Sequence, residues 1–304
     1  MALDIRHLRS FVLTAQEAHF GKAAARLNVT QPALSRTIRQ LEAVLGGALF
    51  SRSTRSVVLT DLGATFLSTA RQAVASFDGA CVMGQQLARG EVGQMLLGHT
   101  EIAIFGQLPR ILQRFRDQYP KAQVALSPGF TRENIERVLN GALDAAFVTG
   151  HASAADLDCV GLWKEESIVV LPADHRMARR RSIHIKDLAD EPFVMGPNAS
   201  WQAYRPLVEA ACKRNGFDPR VVREADSSPA LVHLIASGEG ITIHPACIRN
   251  VSGRQVVFRD LVGASIEVET CLIARQDSRS KLVANFRDIA KSCCAVEWVN
   301  GIAR

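Results

Sequence analysis

The sequence predicts an α/β protein that carries a small, mainly helical module at its amino terminus. Residues 1–60 combine apolar residues at helical spacing with most of the net positive charge, and residues 61–90 form one long amphipathic stretch. Residues 94–304 alternate short apolar runs with helical patterns, which is typical of α/β domains. The length of 304 residues also suits two or three domains.

Composition excludes several classes of protein. With 47% hydrophobic and 22% charged residues, the chain is expected to fold and not to be disordered. It has no run of ~18 apolar residues that would span a membrane and no signal-peptide pattern, so we expect a cytoplasmic protein without a membrane partner. Residues 1–60 hold eight Lys and Arg against three Asp and Glu, which is +5 of the total net charge of +6. This distribution indicates a polyanionic partner for the amino-terminal module alone.

The cysteines predict neither a metal site nor a disulfide framework. There are seven of them, and no two form a C-x-x-C pair. Most have apolar neighbours, so we expect buried free thiols in a reducing compartment. The eight histidines are also scattered without the spacing of metal ligands, and we predict no metal site.

The first fifty residues predict three helices. A first helix of about four turns is indicated by apolar residues at helical spacing, namely Leu8, Phe11, Val12, Ala15 and Ala18. After a break at 19–21, residues 22–27 are strong helix formers and predict a short second helix. Thr30 is a good N-cap for a third helix, which has Pro32 in its first turn and ends at Gly46-Gly47. The predicted apolar stripe of the third helix is Ala33, Leu34, Ile38, Leu41 and Leu45, and its predicted outward side chains are Gln31, Ser35, Arg36, Arg39 and Gln40.

A short helix, a tight turn and a helix with Gln, Ser and Arg on its outer side are typical of a helix-turn-helix motif. Gln can pair with adenine, Arg can pair with guanine in a fork, and Ser can bond a phosphate or a base edge. Residues 49–60 predict two short strands around a basic turn, a wing that would place Arg52 and Arg55 against the DNA backbone or minor groove. A small helical domain with a solvated Arg and Gln face is the alternative interpretation.

Apolar residues at three- and four-residue steps predict one long helix after Thr60-Asp61, either of which could be its N-cap. The helix would have ~28 residues, a length of about 42 Å, and would end at the hinge-like residues 89–93. A helix of this length with one apolar seam is expected to pair with a second copy of itself. Such pairing would present two reading helices to a two-fold symmetric site. Packing against its own domain is the alternative.

The remaining residues predict two α/β regions. The first should contain strands at 94–98, 122–126 and 143–148 and helices near 104–119 and 131–141. The chain should pass near 163–166 into a second region, with strands at 168–171, 193–195, 221–223 and 241–243 and helices near 202–215 and 228–237. A late strand at 266–273 and a final helix from Ser278 could return to the first region.

The segment HFGKAAARLNVTQPALSRTIRQLEAVLGGALFSRSTRSVVLTDLG resembles the amino-terminal signature of the LysR-type transcriptional regulators. It departs from that signature at Gly46-Gly47, where one Gly is usual, and at His19. The resemblance implies an all-α winged helix-turn-helix domain over 1–60, a dimerisation helix and hinge over 61–90, and a two-lobed, periplasmic-binding-protein-like effector domain over 91–304. Lobe I would comprise about 91–162 and 267–304, and lobe II about 163–266. The residues that we expect to contact DNA are Thr30, Gln31, Pro32, Ser35, Arg36, Arg39, Arg52 and Arg55.

An effector cleft is expected where helix amino termini follow strands, because their free N–H groups bind anions. The candidate effector-binding residues at such places are Thr100, Thr131, Thr149, Asn198, Ser200, Trp201, Ser228 and His244. Each hydroxyl or amide could equally be a simple helix cap, and His244 could be purely structural. A small carboxylate or aromatic effector would suit such residues. Some dicarboxylate-binding relatives carry Arg where this chain has Thr149, which disfavours a doubly charged effector.

We therefore expect a regulator and not an enzyme, because the sequence contains no hydrolase, zinc-protease or phosphate-loop motif. It would bind an interrupted palindrome at a promoter. Binding of the effector would change the spacing or bend of the DNA. The effector would be its only small-molecule partner, and no cofactor is expected. The family's habits imply an activator, a homotetramer or homodimer, and contact with RNA polymerase. The alternative is a cytoplasmic small-molecule-binding protein without sequence-selective DNA binding.

Overall fold

The computed structural model describes residues 3–52, 57–251, 253 and 255–295, without the side chains of Arg52 and Ala295. The chain forms two compact units, Met1–Gln86 and Leu87–Arg304. The amino-terminal unit contains α1 (Ile5–Glu17), α2 (Phe20–Arg26), α3 (Gln31–Leu45), β1 (Phe50–Arg52), β2 (Val57–Leu59) and most of α4 (Asp61–Arg89). The two short strands pair antiparallel, as expected of a wing.

The three predicted amino-terminal helices are confirmed, but the second begins earlier than expected. Helix α1 ends at Ala18, whose φ of 46° is left-handed. The His19 side chain then accepts hydrogen bonds from the backbone N–H groups of Gly21 and Lys22 and caps α2. Residues 20 and 21 are therefore helical and not part of the break, because an imidazole can satisfy the free N–H groups of a first turn.

Helix α3 begins and ends as predicted. The Thr30 hydroxyl accepts a hydrogen bond from the Ala33 N–H, and Gly46 ends the helix at a φ of 75°. Leu34, Ile38 and Leu41 are fully buried against the core formed with α1 and α2. The prediction that Ala33 belongs to this stripe is wrong. Ala33 is exposed, because it lies about 100° around the helix from Leu34.

Helix α4 is joined to the wing at its first turn. The Thr60 hydroxyl accepts from the Gly63 N–H and donates to the Ala48 carbonyl, so Thr60 and not Asp61 caps the helix. Gly63 packs so closely that a Cβ placed on it would lie 2.1 Å from the Leu49 carbonyl oxygen. With 29 residues α4 is about 44 Å long. Across the described residues, no helix is both long enough and apolar enough to traverse a bilayer.

Strands and helices are mixed along the second unit, as predicted for an α/β domain. They are β3 (Val92–His99), α5 (Glu101–Phe105), α6 (Leu108–Gln118), β4 (Lys121–Pro128), α7 (Thr131–Leu139), β5 (Ala145–Thr149), β6 (Leu157–Pro172), β7 (Ser182–His184), β8 (Pro192–Met195), α8 (Arg205–Arg214), β9 (Arg220–Glu224) and α9 (Ser228–Ala236). The chain continues through β10 (Thr242–Pro245) and β11 (Val256–Val262), and ends its described part with β12 (Glu267–Arg275) and α10 (Lys281–Ala295).

The predicted helix at 104–119 is two helices. Helix α5 ends at Phe105, because the ψ of −127° at Gly106 is not helical, and α6 starts at Leu108. The pattern of short apolar runs in the sequence did not predict β7, β11 or the first part of β6.

Strand β6 connects the two lobes of this unit. Its residues 157–166 pair with β12, which completes the first lobe in the order β4-β3-β5-β12-β6. Its residues 167–172 pair with β10 on one side and β11 on the other, within the second lobe. Aromatic side chains contribute to the first core, where the Phe286 ring contacts both Phe115 and Phe147. The pairing of β6 thus changes from the first lobe to the second after residue 166, at the end of the predicted segment 163–166.

The contact of α4 with the wing can be tested by substituting Gly63, with Gly79 on the same helix as the control. We expect Gly63→Ala to lower the free energy of unfolding by at least about 2 kcal/mol, because the new Cβ would overlap the Leu49 carbonyl. Gly79→Ala, which meets nothing within 4 Å, should raise it by about 0.5–1 kcal/mol through helix propensity. Urea denaturation of the full chain measures both. Equal effects of the two substitutions would contradict the close packing of α4 on the wing.

Candidate functional site

The outer face of α3 carries the side chains that the sequence assigns to DNA. Gln31, Pro32, Arg36 and Arg39 are exposed, and Ser35 is partly buried. Arg36 and Arg39 form no ion pair with any described residue. These positions recur every three or four residues opposite the buried stripe, so the buried side chains determine which way the exposed ones face. A helix face with free guanidinium and amide groups can bond base edges and phosphates.

The other expected DNA contacts are placed less completely. Thr30 is exposed, and its hydroxyl oxygen is engaged in capping α3. Arg52 ends β1 opposite Val57, and its side chain lies outside the description. Arg55 lies outside the described residues. Gln40, predicted to face outward, is partly buried, and its Oε1 lies 3.3 Å from Nε2 of His7.

A cleft of about 320 Å³ lies between the two lobes of the second unit. The first lobe lines it with the carboxyl ends of β3, β4 and β5, and the second lobe with residues before α8, before α9 and at β10. The structure brings seven of the eight expected residues together there, namely Thr100, Thr131, Thr149, Ser200, Trp201, Ser228 and His244. Asn198 is the exception: it is exposed in a turn outside the lining, because Pro197 begins this turn and the chain enters the cleft only at Ser200.

Three threonines on the first-lobe side form a set of hydrogen-bond donors. The Thr149 hydroxyl lies 3.4 Å from the Thr100 hydroxyl, and the Thr149 N–H donates to the Thr131 hydroxyl over 3.0 Å. Thr131 opens α7, whose first turn has no side-chain cap among the described residues. The hydroxyl protons of Thr100 and Thr131 and the first N–H groups of α7 are therefore available to a ligand. Donors of this kind at a helix amino terminus complement an anion.

Glu101 links the two lobes across the cleft. Its Oε2 atom accepts a hydrogen bond of 2.6 Å from the Ser228 N–H and one of 2.8 Å from the Ser228 hydroxyl. The amino terminus of α9 is thus already neutralised by a carboxylate of the protein itself. Glu101 was not among the site residues predicted from the sequence, although an acidic residue in the first turn of a helix that follows a strand is the signal that could have found it.

His244 is buried at the second-lobe side of the cleft. Its Nδ1 lies 3.0 Å from the Pro245 carbonyl oxygen, which accepts the ring N–H. Burial lowers the pKa of His244 to about 4, so the ring is neutral at pH 7. Its Nε2, 3.4 Å from the Ser228 hydroxyl, is then an acceptor. The Trp201 ring packs edge-on against the imidazole, with centroids 5.4 Å apart.

The charged side chains of the cleft are acidic. Among the described lining residues there are three carboxylates, Glu101, Glu133 and Asp226, and no Lys or Arg. Glu133 pairs with Arg137 at 3.6 Å, and Asp226 is exposed. The threonine set and α7 can therefore hold one anionic group, while the α9 side offers acceptors.

Two family models match the chain. The model described as "Bacterial regulatory helix-turn-helix protein, lysR family" matches residues 5–64. The model described as "LysR substrate binding domain" matches residues 88–295, which is more than half of the chain. The first match contains the exposed face of α3, and the second contains the whole cleft.

Similar proteins and structures agree with these models. The chain is 30% identical to the HTH-type transcriptional regulator AlsR of Bacillus subtilis (strain 168) over 289 residues, 95% of each chain. It is 31% identical to the Hca operon transcriptional activator HcaR of Escherichia coli (strain K12) over 261 residues, 86% of this chain and 88% of that one. CbnR, a LysR family transcriptional regulator, has a TM-score of 0.87 at 25% identity and covers 95% of this chain and 100% of its own. Full-length CbnR complexed with its target DNA has a TM-score of 0.82 at 25% identity, covering 96% and 100%.

The neutral, buried state of His244 predicts a loss of stability in acid. An unfolded imidazole has a pKa of 6.5, so as the pH falls the unfolded chain takes up a proton that the folded chain excludes until about pH 4. The stabilisation is complete above pH 6.5, and we expect up to about 3 kcal/mol to be lost between pH 6.5 and 4. Chemical denaturation of the wild type and His244→Gln over this range measures it, and other titrating groups cancel in the difference. Parallel pH profiles would contradict the assignment.

Proposed function

The chain belongs to the LysR family of bacterial transcriptional regulators, and from this premise we propose how its two units act. It is a DNA-binding transcriptional regulator with an effector-binding domain. The observation that carries the proposal is the exposed Gln and Arg face of α3 in a basic unit that matches a helix-turn-helix model. We propose that this face enters the major groove, with Gln31, Arg36 and Arg39 toward base edges and the wing toward the backbone.

Helix α4 supports a two-fold arrangement of two such faces. Four of its apolar side chains are 44–53% exposed, namely Phe77, Val82, Met83 and Leu87. Burying them against a second copy removes apolar surface from water. We propose a homodimer through α4, with the homotetramer built from two dimers, which reads an interrupted palindrome.

The cleft favours an effector with one carboxylate and a planar apolar body. The hydroxyls of Thr100 and Thr131 and the amino terminus of α7 would bind the carboxylate, since all of them donate hydrogen bonds. Trp201 and Phe130 also line the cleft and would contact the planar part of the effector. A hydroxyl or amino group at the far end would donate to His244 Nε2 or to Glu101. A second carboxylate there would meet Glu101 and be repelled.

Regulation would follow from the contact between the lobes. An effector that competes with Ser228 for Glu101, or strengthens their contact, changes how far the lobes close. We propose that closure changes the spacing or bend of the bound DNA and so the access of RNA polymerase to the promoter. In this scheme the protein carries out no catalytic step, its effector is a ligand and not a cofactor, and it works in the cytoplasm.

Substitutions of arginine separate base reading from backbone attraction. Arg36→Ala should weaken binding to the upstream region of the protein's own gene by about 1–3 kcal/mol and reduce its preference over scrambled DNA. Arg52→Ala should weaken binding to both DNAs alike. Arg116→Ala, an exposed site on α6 with the same loss of charge, is the control and should leave selectivity unchanged. Fluorescence anisotropy at two salt concentrations measures all four proteins.

Unchanged selectivity in Arg36→Ala would remove α3 from base recognition. No salt-sensitive, sequence-selective binding by the wild type would favour a small-molecule-binding protein that does not regulate a promoter.

The effector class is tested by the threonine hydroxyls. We expect small aromatic monocarboxylates to raise the melting temperature of the full chain more than the matching amides or dicarboxylates. Thr131→Val should weaken that binding about tenfold or more, because a hydrogen bond to a charged group is lost. Thr270→Val is the matched control: Thr270 is buried beside Thr149 on β12, outside the cleft, and its hydroxyl has no partner among the described residues.

Binding by a monocarboxylate that is equal in both variants would contradict the assigned anion site. Selective DNA binding without any response to carboxylates would agree with the proposed regulatory function and contradict only the proposed effector class.

A further inference from the structure

Three side chains that could ligate a metal meet in the second unit outside the effector cleft. They are His151, Cys159 and Cys271, and one ligand atom of each lies within 4.8 Å of the other two. The Cys159 sulfur is 3.8 Å from Nδ1 of His151. In the described part of the chain this is the one group of three or more His, Cys, Asp or Glu with such spacing. No metal site was expected from the sequence, and this cluster departs from that expectation.

Strand pairing brings the two sulfurs together. Cys159 lies on β6 opposite Ile273, and Cys271 lies on β12 opposite Gly161, so the cysteines are diagonal neighbours on one sheet face. His151 comes from the loop that follows β5, the strand on the other side of β12. No local spacing in the sequence could reveal this group, because it combines two separate strands and a loop.

The cluster runs from the interior to the surface. Cys271 is fully buried, Cys159 is partly exposed and His151 is exposed. A shallow depression of about 430 Å³ opens on His151 and Cys159 and is also lined by Asp158 and Gln276. An ion could therefore reach His151 and the Cys159 sulfur from solvent, with the Cys271 sulfur behind them.

We propose that His151, Cys159 and Cys271 bind one Zn²⁺ ion, with its fourth position open to this depression. Tetrahedral zinc with its usual bond lengths needs about 3.6 Å between sulfur and nitrogen and about 3.8 Å between two sulfurs. The 3.8 Å between Cys159 and His151 is already close to that, and the largest separation of 4.8 Å requires a movement of about 1 Å.

The ligand chemistry selects this ion. Two sulfurs and an imidazole suit soft or borderline cations, whereas Mg²⁺ and Ca²⁺ prefer oxygen. Each thiol loses its proton to solvent as its metal–sulfur bond forms. Two thiolates then neutralise Zn²⁺, whereas Cu⁺ would leave a net negative charge beside the buried Cys271.

Zinc at this position would act on the effector cleft. His151 is two residues beyond Thr149, which lines the cleft at the end of β5. Coordination would tie the loop after Thr149 to β6 and β12.

Spectroscopy of the reduced, metal-free full chain tests the proposal. Co²⁺, used as a probe for Zn²⁺, should give a near-ultraviolet thiolate charge-transfer band at one ion per chain, and Zn²⁺ should abolish it. Competition with a colorimetric chelator measures the Zn²⁺ affinity. Cys159→Ser and His151→Gln should each weaken Zn²⁺ by at least about tenfold. Both alter side chains that are not fully buried, so the fold should be retained, as far-ultraviolet circular dichroism will check.

Cys81→Ser is the matched control, because Cys81 is an exposed thiol on α4 in the other unit and should not affect affinity. Equal Zn²⁺ affinities in Cys81→Ser and Cys159→Ser would overturn the site. Binding of Cu⁺ without Zn²⁺ would overturn the choice of ion. A Cys159–Cys271 disulfide formed by mild oxidant, in a protein that takes up no Zn²⁺, would replace the metal site with a redox pair.

Discussion

The second unit depends on one strand that belongs to both of its lobes. Residues 157–166 of β6 pair with β12, and residues 167–172 pair with β10 and β11. The carboxyl end of β5 and His244 on β10 line the same cleft, and β6 runs between the two lobes that carry them. Among the described residues, the chain returns to the first lobe between β11 and β12, so lobe closure must bend this connection and β6.

The cleft separates donors from acceptors. Thr100, Thr131 and the first turn of α7 offer protons on one side, whereas Glu101 and the neutral His244 offer acceptors on the other. Since Glu101 already accepts a hydrogen bond from the amino terminus of α9, that terminus is occupied by the protein's own carboxylate and is not available to an anionic ligand. An asymmetric ligand has a preferred orientation in such a cleft, and that orientation also determines whether it touches the Glu101–Ser228 contact.

In the amino-terminal unit, the same helix provides both the core and the reading surface. Leu34, Ile38 and Leu41 are buried, and their packing fixes the rotation of α3 about its axis. Arg36 and Arg39 consequently face solvent, and α3 does not need to rotate to expose them. The wing is held to the same core through Thr60 and Gly63, which join its strands to α4.

Local patterns predicted most of the features that depend on neighbours in the chain. Thr30, Gly46 and the 34-38-41 stripe established α3, and the hydroxyl residues after strands identified most of the cleft, because caps, turns and helical periodicity involve residues only a few positions apart. Three features that also involve near neighbours were not predicted, namely His19 as a cap, the exposure of Ala33 and the position of Asn198 outside the cleft. The Glu101–Ser228 contact, the buried neutral His244 and the meeting of Cys159 with Cys271 arose only in the tertiary structure. Each depends on groups that lie far apart in the chain. Strand order and register determine the distances between such groups, and no short stretch of sequence determines strand order or register.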